Sequence, residues 1–292
     1  MGKKGKKAQA GKPKKLTPKD VGKRLDVLAK KVLEELEGAD LFAPLPPTED
    51  CAICFVPLSR LTSEKWYQTC CGKEICWACF KENEESIKKL NEEKNTSKKV
   101  AFTCPFCREP RPSMDEYVRQ LEARTLKNDY RALTSLGSFF MQGSNGLPKN
   151  NLKGLDYLIK AVELGSAEAC GGIGNIYDEG TGVGIDRVRA ALFERVGALR
   201  GSIIARHNIG ISEYESGNHG IGIRHWKVAA EAGSQPSIDT LKKIYNADGK
   251  RPGKEFITKE CMDSLYRVCH DAQEEVKSEE REKHCNRHEM KC

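Results

Sequence analysis

The residues with the clearest capacity for chemistry are eight cysteines in four close pairs. Three pairs are Cys-x-x-Cys and one is adjacent: Cys51/Cys54, Cys70/Cys71, Cys76/Cys79 and Cys104/Cys107. A Cys-x-x-Cys turn brings two thiolates within reach of one tetrahedral zinc ion, and a second pair completes its coordination. Eight thiolates therefore predict two structural zinc ions, with no open position for a catalytic water.

The distribution of apolar residues along the chain indicates the cellular compartment in which the protein is expected. The 292 residues contain no run of about 18 apolar residues, so no membrane span is expected, and the N-terminus lacks the apolar core of a secretory signal. We therefore expect an intracellular protein, cytoplasmic or nuclear. In such a reducing compartment, clustered cysteine pairs indicate metal ligands rather than disulfides.

The positive charge of the chain is concentrated at its N-terminus. Residues 1–20 carry eight lysines and one aspartate, which equals the net charge of +7 for the whole chain. The composition predicts a disordered basic tail over 1–20. A nuclear-import signal or a weak nucleic-acid arm is the other interpretation. Nucleic-acid binding is not favoured, because the tail has no arginine or aromatic side chain with which to stack on bases.

The elements that must position the cysteines follow from periodicity and breakers. Apolar residues at three- and four-residue steps predict an amphipathic helix over 21–38, which could pack on the cysteine module or on a partner. A Pro-rich linker over 39–48 leads into the module at 49–110, and a linker helix is expected over 111–128.

Residues 129–271 contain an internal repeat of about 36 residues. Marker glycines recur at Gly137, Gly174 and Gly210, and a Gly-Ser pair recurs at 165–166, 201–202 and 233–234. Such a period predicts stacked helix pairs, three clear and one degenerate, with Lys242 in place of the marker glycine in the last. Each Gly-Ser pair is expected to end one helix and to cap the next with its serine.

These units resemble Sel1-like repeats, which are relatives of tetratricopeptide repeats. The resemblance rests on Leu136-Gly137 and its equivalents, on Phe140 and Tyr177, and on the segments 160–165, 178–184 and 228–233. It covers about half of the chain and implies an all-α solenoid of helix-turn-helix units that binds other proteins.

The cysteine module resembles the all-cysteine variant of the RING finger. The resemblance implies a small zinc-stabilised ββα cross-brace, in which the first and third cysteine pairs hold one zinc ion and the second and fourth pairs hold the other. RING domains of this kind act as ubiquitin ligases. They bind a ubiquitin-conjugating enzyme carrying ubiquitin and form no covalent intermediate, so none of the eight cysteines is expected to be a nucleophile.

Three further residues match RING positions that contact partners. Ile53, inside the first Cys-x-x-Cys, and Pro105, inside the last, match apolar contacts to the conjugating enzyme. Arg108, directly after the last ligand, matches the linchpin that bridges the conjugating enzyme and ubiquitin. Each residue also has a structural interpretation: Ile53 as a cover of the zinc loop, Pro105 as a shaper of the turn and Arg108 as a solvated charge.

Two departures from the RING pattern keep a second function open. Cys70 and Cys71 are adjacent, which predicts a strained backbone or a site that uses only one of them. The tryptophan that many active RING fingers carry after the sixth ligand is absent from 81–84. The chain is therefore interpreted as a ubiquitin ligase that recruits a protein substrate through its solenoid, or alternatively as a non-enzymatic zinc-binding adaptor.

The last cysteines and histidines form a looser set near the C-terminus. Their spacing is irregular, and the surrounding residues predict a charged tail over 272–292, so we do not expect a metal site there. The set comprises Cys261, Cys269, His270, His284, Cys285, His288 and Cys292.

Overall fold

A computed structural model describes residues 17–60, 64–93, 100–247 and 251–267 of the chain. Most of the predicted basic tail, the end of the charged segment after the sixth cysteine, and the C-terminal cysteine–histidine set except Cys261 lie outside the described residues. None of the described helices is long and apolar enough to cross a membrane.

The described chain is mostly helical, with one small sheet near its N-terminal third. Helix α1 (Pro18–Leu36) is followed by strands β1 (Lys65–Gln68) and β2 (Lys73–Cys76) and by helix α2 (Trp77–Glu93). The two strands pair antiparallel, with Trp66 opposite Ile75 and Tyr67 opposite Glu74. Helix α3 (Met114–Thr125) then connects this cysteine module to the repeats.

The remaining helices pack as consecutive pairs, which confirms the predicted solenoid. The pairs are α4 (Tyr130–Gln142) with α5 (Asn151–Glu163), α6 (Ala167–Glu179) with α7 (Arg187–Leu199), and α8 (Ile203–Glu215) with α9 (His219–Glu231). Helix α10 (Gln235–Tyr245) packs on α9, a short 3-10 helix follows at Lys254–Phe256, and residues 259–267 are helical.

The marker glycines lie where the two helices of a pair approach most closely. A Cβ atom on Gly137 would lie 2.7 Å from Leu158 Cγ, and one on Gly210 would lie 2.4 Å from Trp226 Nε1. Real Cβ atoms do not tolerate such distances, so these positions require the smallest residue. Lys242 occupies the equivalent place in α10, where it is exposed to solvent and therefore tolerated.

All three Gly-Ser pairs end one helix and begin the next as predicted, but the serine caps with its side chain at only two of them. The hydroxyls of Ser166 and Ser202 accept hydrogen bonds from the backbone N–H groups of Ala169 and Ala205, at 3.1 and 3.2 Å. Ser234 makes no such cap; its hydroxyl lies 3.0 Å from that of Ser237 instead. The prediction was therefore wrong for this third serine, because a neighbouring hydroxyl competes for it.

Helix α1 packs on the solenoid, which is neither of the two surfaces expected from the sequence, the cysteine module and a partner. Its apolar stripe is buried against apolar side chains of α5 and α7 and joins the largest hydrophobic core of the chain; the stripe is Val21, Leu25, Leu28 and Val32. The helix also begins at Pro18, three residues earlier than expected. Thr17 accepts a hydrogen bond from the Asp20 backbone, and the Asp20 carboxylate accepts one from the Thr17 backbone.

Ion pairs along both sides of α1 set its direction on the solenoid. Arg24 pairs with Asp156 of α5, Asp26 lies 2.8 Å from Arg189 of α7, and Glu35 lies 2.7 Å from Arg200 at the end of α7. Complementary charges of this kind contribute little net energy each but disfavour other registers.

The linker after α1 is held along the solenoid by specific contacts. The buried guanidinium of Arg206 donates to the carbonyl oxygens of Leu41 and Ala198. The ring of Phe42 lies 4.6 Å from that of His225 and is covered by the Arg224 guanidinium at 3.8 Å. The proline-rich composition predicted a connection, but it carried no signal for this fixed path.

The cysteine module is in turn attached to the first repeat by polar contacts, most of them partly buried. Tyr67 of β1 donates to the Asp129 carboxylate at 2.7 Å, and Arg124 donates to the same carboxylate at 2.9 and 3.0 Å. Arg131 of α4 pairs with Glu49 and with Glu74 of β2 at 2.7 and 2.9 Å. Together with the linker, these contacts join module and solenoid into a single packed body.

The docking of α1 predicts that its buried face stabilises the solenoid. Leu25 is 1% exposed, so Leu25→Ala should lower the free energy of unfolding by about 2–5 kcal/mol through lost burial and the cavity left behind. Val27 of the same helix is 54% exposed, so Val27→Ala should change the free energy by no more than about 0.5 kcal/mol. Urea denaturation followed by circular dichroism measures both. Equal midpoints for the two variants would contradict this packing.

Candidate metal centres

The first candidate centre combines the first and third cysteine pairs. Cys51 and Cys54 come from the loop before β1, Cys76 ends β2, and Cys79 lies in the first turn of α2. All four side chains are buried, and their sulfur atoms lie within 4.8 Å of one another. The Cys51–Cys79 and Cys54–Cys76 sulfur distances are both 3.8 Å.

Backbone N–H groups point at these sulfur atoms and favour their thiolate form. The N–H of Cys76 donates to Cys51 Sγ at 3.3 Å, and that of Cys79 donates to Cys76 Sγ at 3.5 Å. Hydrogen bonding with the thiols of Cys54, Cys76 and Cys79 holds the pKa of Cys51 well below its usual range. The hydrogen bond with Cys51 raises the pKa of Cys76. Four thiols this close together, with backbone N–H groups directed at their sulfur atoms, form a suitable binding place for a cation.

The second candidate centre combines the adjacent pair with the last pair. Cys70 and Cys71 lie in the turn between β1 and β2, and Cys104 and Cys107 lie in the loop before α3. Their sulfur atoms also fall within 4.8 Å of one another, with 3.8 Å between Cys71 and Cys104. Burial raises the pKa of the Cys70 and Cys71 thiols. This centre is the more exposed of the two, since Cys107 lies at the surface.

The turn explains how two adjacent cysteines can face the same centre. In a strand, successive side chains point to opposite faces, but Cys70 and Cys71 follow β1 in a tight turn closed by a 2.6 Å hydrogen bond from Gly72 N–H to the Gln68 carbonyl. The left-handed backbone is at Gly72, with φ of 77°, and neither cysteine has a positive φ. The sequence predicted backbone strain at the two cysteines, but the left-handed conformation falls on the following glycine, which adopts it readily.

Both groups fit a tetrahedral metal ion. Zinc–sulfur bonds of about 2.3 Å place tetrahedral sulfur ligands about 3.8 Å apart. Three measured sulfur pairs have that spacing, while a disulfide would need about 2.05 Å. All described cysteines are free, and within the described ranges these two groups are the candidate metal clusters. Each group of four can therefore hold a metal ion.

The ligand pairs alternate along the chain, so each centre ties distant segments together. One centre joins the first loop to β2 and α2, and the other joins the β1–β2 turn to the loop before α3. Few apolar residues are buried with the cysteines of the module; they include Leu58, Ile75 and Phe80. With a core this small, a metal ion in each group would contribute much of the free energy that orders these loops.

The first and last cysteine pairs form two loops of the same design. In each loop, the N–H of the first cysteine bonds to the carbonyl five residues later, and a short antiparallel bridge closes it: Asp50 with Pro57 and Thr103 with Pro110. The residue after the second cysteine is left-handed in both, at φ of 58° for Phe55 and 60° for Arg108. The two loops are here called the paired knuckles (residues 50–57 and 103–110), and residues of both line one groove.

A wide groove of about 690 Å³ runs between the paired knuckles and helix α2. Ile53, Pro105 and Arg108 all line it, although up to 55 positions separate them in sequence. The groove also contains three apolar residues that the RING motif did not single out: Phe55, Leu90 and Phe106. For Leu90, the sequence offered only the alternation of apolar and charged residues along α2, which does not show that this side chain lines a groove.

The place where a tryptophan is missing holds a different contact. Asn83 of α2 donates from Nδ2 to the Thr103 carbonyl at 3.3 Å, so it ties α2 to the second knuckle. Asn83 lines the groove as a polar residue. In place of the absent tryptophan, the groove is therefore lined at this point by a polar side chain, Asn83, which is bonded to the second knuckle.

Comparisons with known proteins give limited information. No protein-family model matches the chain, and no curated protein matches it in sequence. Among solved structures, a Sel1 repeat protein from Oxalobacter formigenes is similar with a TM-score of 0.47 and 24% identity, over 55% of this chain and 65% of that one. A protective antigen of uropathogenic Escherichia coli displaying an SLR fold has a TM-score of 0.47 and 18% identity, over 66% and 40% of the two chains.

The chain thus spans less than two thirds of the length of either protein. An immunity protein from Pseudomonas aeruginosa is more distant, with a TM-score of 0.35 and 11% identity over 67% of this chain and 84% of that one. The helix pairs and marker glycines of this chain, rather than these similarities, define its solenoid.

The turn at Gly72 predicts a site-specific sensitivity of the second centre. A Cβ atom there would lie 1.5 Å from Arg124 Nη2, at a φ that L residues rarely adopt. Gly72→Ala should displace Cys70 and Cys71 and weaken metal binding at the second centre, because strain of about 1–3 kcal/mol lowers its affinity without abolishing binding. Gly38→Ala is the matched control, since Gly38 has φ of 75° but no atom within 4 Å of the place that a Cβ atom would take. Metal analysis of both purified variants during titration with a chelator tests this; equal retention of metal would refute the proposed role of the turn.

Proposed function

We propose that the chain is a RING-type ubiquitin ligase whose cysteine module holds two zinc ions. In this proposal the module binds a ubiquitin-conjugating enzyme that carries ubiquitin as a thioester. The solenoid binds the protein substrate. The conjugating enzyme supplies the reactive thioester, and the module favours its productive arrangement without itself forming a covalent bond.

One observation carries this proposal: Ile53, Pro105 and Arg108 line the same groove beside the two thiol groups. Ile53 and Pro105 are the middle residues of the two outer Cys-x-x-Cys loops, so coordination at both centres would hold them in place. Arg108 is exposed next to them. Its planar guanidinium can donate several hydrogen bonds at once to carbonyl groups, which suits a contact shared by two partner proteins.

The state of the cysteines supports a non-covalent role. All eight module cysteines belong to the two four-thiol groups. Of the other described cysteines, Cys170 is fully buried in the solenoid, and burial raises the pKa of its thiol to about 12. A thiol so buried and so weakly acidic is a poor nucleophile near neutral pH. Zinc is the proposed ion because four thiolates in tetrahedral spacing are its preferred structural ligand set.

The attachment of the module to the solenoid supports the recruitment part of the proposal. Tyr67, Arg131 and the linker contacts hold the groove at a set position relative to the repeats. A substrate bound on the repeats would therefore lie at a defined distance from the conjugating enzyme. Such positioning raises the effective concentration of the two reactants.

The proposal predicts ubiquitin chain formation that depends on the groove. The full chain, incubated with ubiquitin, activating enzyme, ATP and a panel of conjugating enzymes, should form polyubiquitin. Ile53→Ala and Arg108→Ala should each reduce the initial rate by about tenfold or more, as expected for central contacts in an interface. The readout is the rate of chain formation on gels.

Arg119→Ala is the matched control, because Arg119 is an exposed arginine on α3 that does not line the groove. Its rate should equal that of the unchanged protein. No chain formation with any conjugating enzyme, while zinc is retained, would overturn the ligase and favour the non-enzymatic adaptor.

A further inference from the structure

The linker between α1 and the cysteine module lies on the solenoid in the way that a separate peptide would lie in a binding site. It contains neither helix nor strand, and it is held through a backbone carbonyl and an aromatic ring. The Leu41 carbonyl accepts a hydrogen bond from Arg206 of α8. The Phe42 ring lies 4.6 Å from the His225 ring of α9, and the Arg224 guanidinium covers it at 3.8 Å.

This fit leaves two deeply buried polar atoms without a hydrogen-bond partner among the described residues. They are Nε of Arg206, a residue that is 1% exposed, and Nδ1 of His225, which is 2% exposed. The other two nitrogens of the Arg206 guanidinium donate to the carbonyl oxygens of Leu41 and Ala198. A buried guanidinium that binds only carbonyl oxygens lacks the carboxylate that ordinarily pairs with it. The linker therefore satisfies this place on the solenoid incompletely.

The charge around Arg206 shows which chemical group the linker does not supply. Positive residues outnumber negative ones among those that act electrostatically on Arg206 and His225, which are Asp40, Arg60, Arg195, Glu213 and Arg224. Arg195 and Glu213 lie 3.1 Å apart and neutralise each other. The Asp40 carboxylate accepts a hydrogen bond from a backbone N–H of the linker itself, at 2.9 Å. Burial, followed by the nearby Arg60, lowers the pKa of Arg206, so an added carboxylate would stabilise its charged form.

We propose that the linker is a tethered occupant of a peptide-binding site on α8 and α9, and that this site takes a segment of a partner protein in which an acidic residue adjoins a phenylalanine. The inference rests on the part of the proposed function in which the solenoid recruits a protein, and it names the chemistry of that protein. The phenyl ring of the partner replaces Phe42, and its carboxylate pairs with Arg206. Displacement of the linker then frees one of the attachments between the cysteine module and the repeats.

The first test measures the charge preference of the site with two fluorescent peptides. Both contain residues 38–48 of this chain, one with Leu41→Glu and the other with Leu41→Lys. The receptor is the full-length variant Phe42→Ala, in which the tethered linker has lost its ring. By fluorescence anisotropy, the Glu peptide should bind with a dissociation constant about tenfold or more below that of the Lys peptide. Equal dissociation constants would refute the preference for an acid.

The second test measures competition by the tethered linker. The Glu peptide should bind Phe42→Ala about tenfold or more tightly than the unchanged protein, because a tethered competitor acts at a millimolar effective concentration. Arg224→Ala in the Phe42→Ala background should raise the dissociation constant about fivefold through the lost cation–π contact. Arg119→Ala in the same background is the matched control, since Arg119 is an exposed arginine of α3, and it should change nothing.

Hydrogen exchange on the unchanged full-length protein tests displacement without any substitution. The backbone N–H groups of Phe42 and Ala43 donate to Asp40 at 2.9 and 3.1 Å. At saturating Glu peptide, both amides should exchange faster, because the displaced linker loses its fixed turn. Unchanged exchange at saturation would show that the peptide binds elsewhere, which would overturn the tethered occupant.

Failure of this inference and failure of the ligase proposal are distinguishable, because peptide binding needs no conjugating enzyme. If polyubiquitin forms but Phe42→Ala binds neither peptide, the peptide site is refuted and the ligase stands. If the Glu peptide binds and displaces the linker while no conjugating enzyme supports chain formation, the ligase is refuted and the site stands as the recruiting surface of the adaptor.

Discussion

Sulfur atoms held about 3.8 Å apart are the constraint on which the cysteine module depends, because that spacing is the edge of a metal-centred tetrahedron. Eight thiols brought together in two groups repel one another once they ionise, and burial disfavours each thiolate further. A divalent cation in each group would offset both the repulsion and the cost of burying the thiolates. The module buries few apolar side chains besides its cysteines, so little else is available to order its loops.

The same constraint reaches the solenoid through the β1–β2 turn. That turn carries Cys70 and Cys71, and its glycine packs against Arg124, which in turn binds Asp129 at the start of α4. Tyr67 of β1 donates to the same carboxylate. The turn of the second centre and the contacts that dock the module on the first repeat therefore share the Arg124 side chain. The linker before the module is held on later repeats by the contacts of Arg206 with Leu41 and of Phe42 with His225.

The parts of this structure that sequence reasoning predicted are those determined by local spacing. Helix pairs follow from a repeat whose glycines mark close approach, and the four cysteine pairs follow from their spacing. The grouping of the first pair with the third and of the second with the fourth was implied by the resemblance to RING fingers. Contacts between distant segments were not predictable. The apolar stripe of α1 could pack on many apolar surfaces, and the composition of a proline-rich linker does not show which residues it contacts. The adjacency of Cys70 and Cys71 suggested an irregular site. The sequence did not show that the following glycine, Gly72, takes the left-handed conformation of the turn and leaves both cysteines facing one centre. Phe55 was not predicted to line the groove, because the sequence does not show which apolar side chains remain exposed.

Native mass spectrometry of the purified full chain decides whether the two four-thiol groups are metal centres. If they are, the mass should increase by two zinc ions per chain. Chelation of the ions should then abolish tertiary structure in the module, seen by near-ultraviolet circular dichroism at its tryptophans. A chain that carries fewer than about two equivalents, or a module that keeps its structure after complete chelation, would show that coordination does not hold these loops.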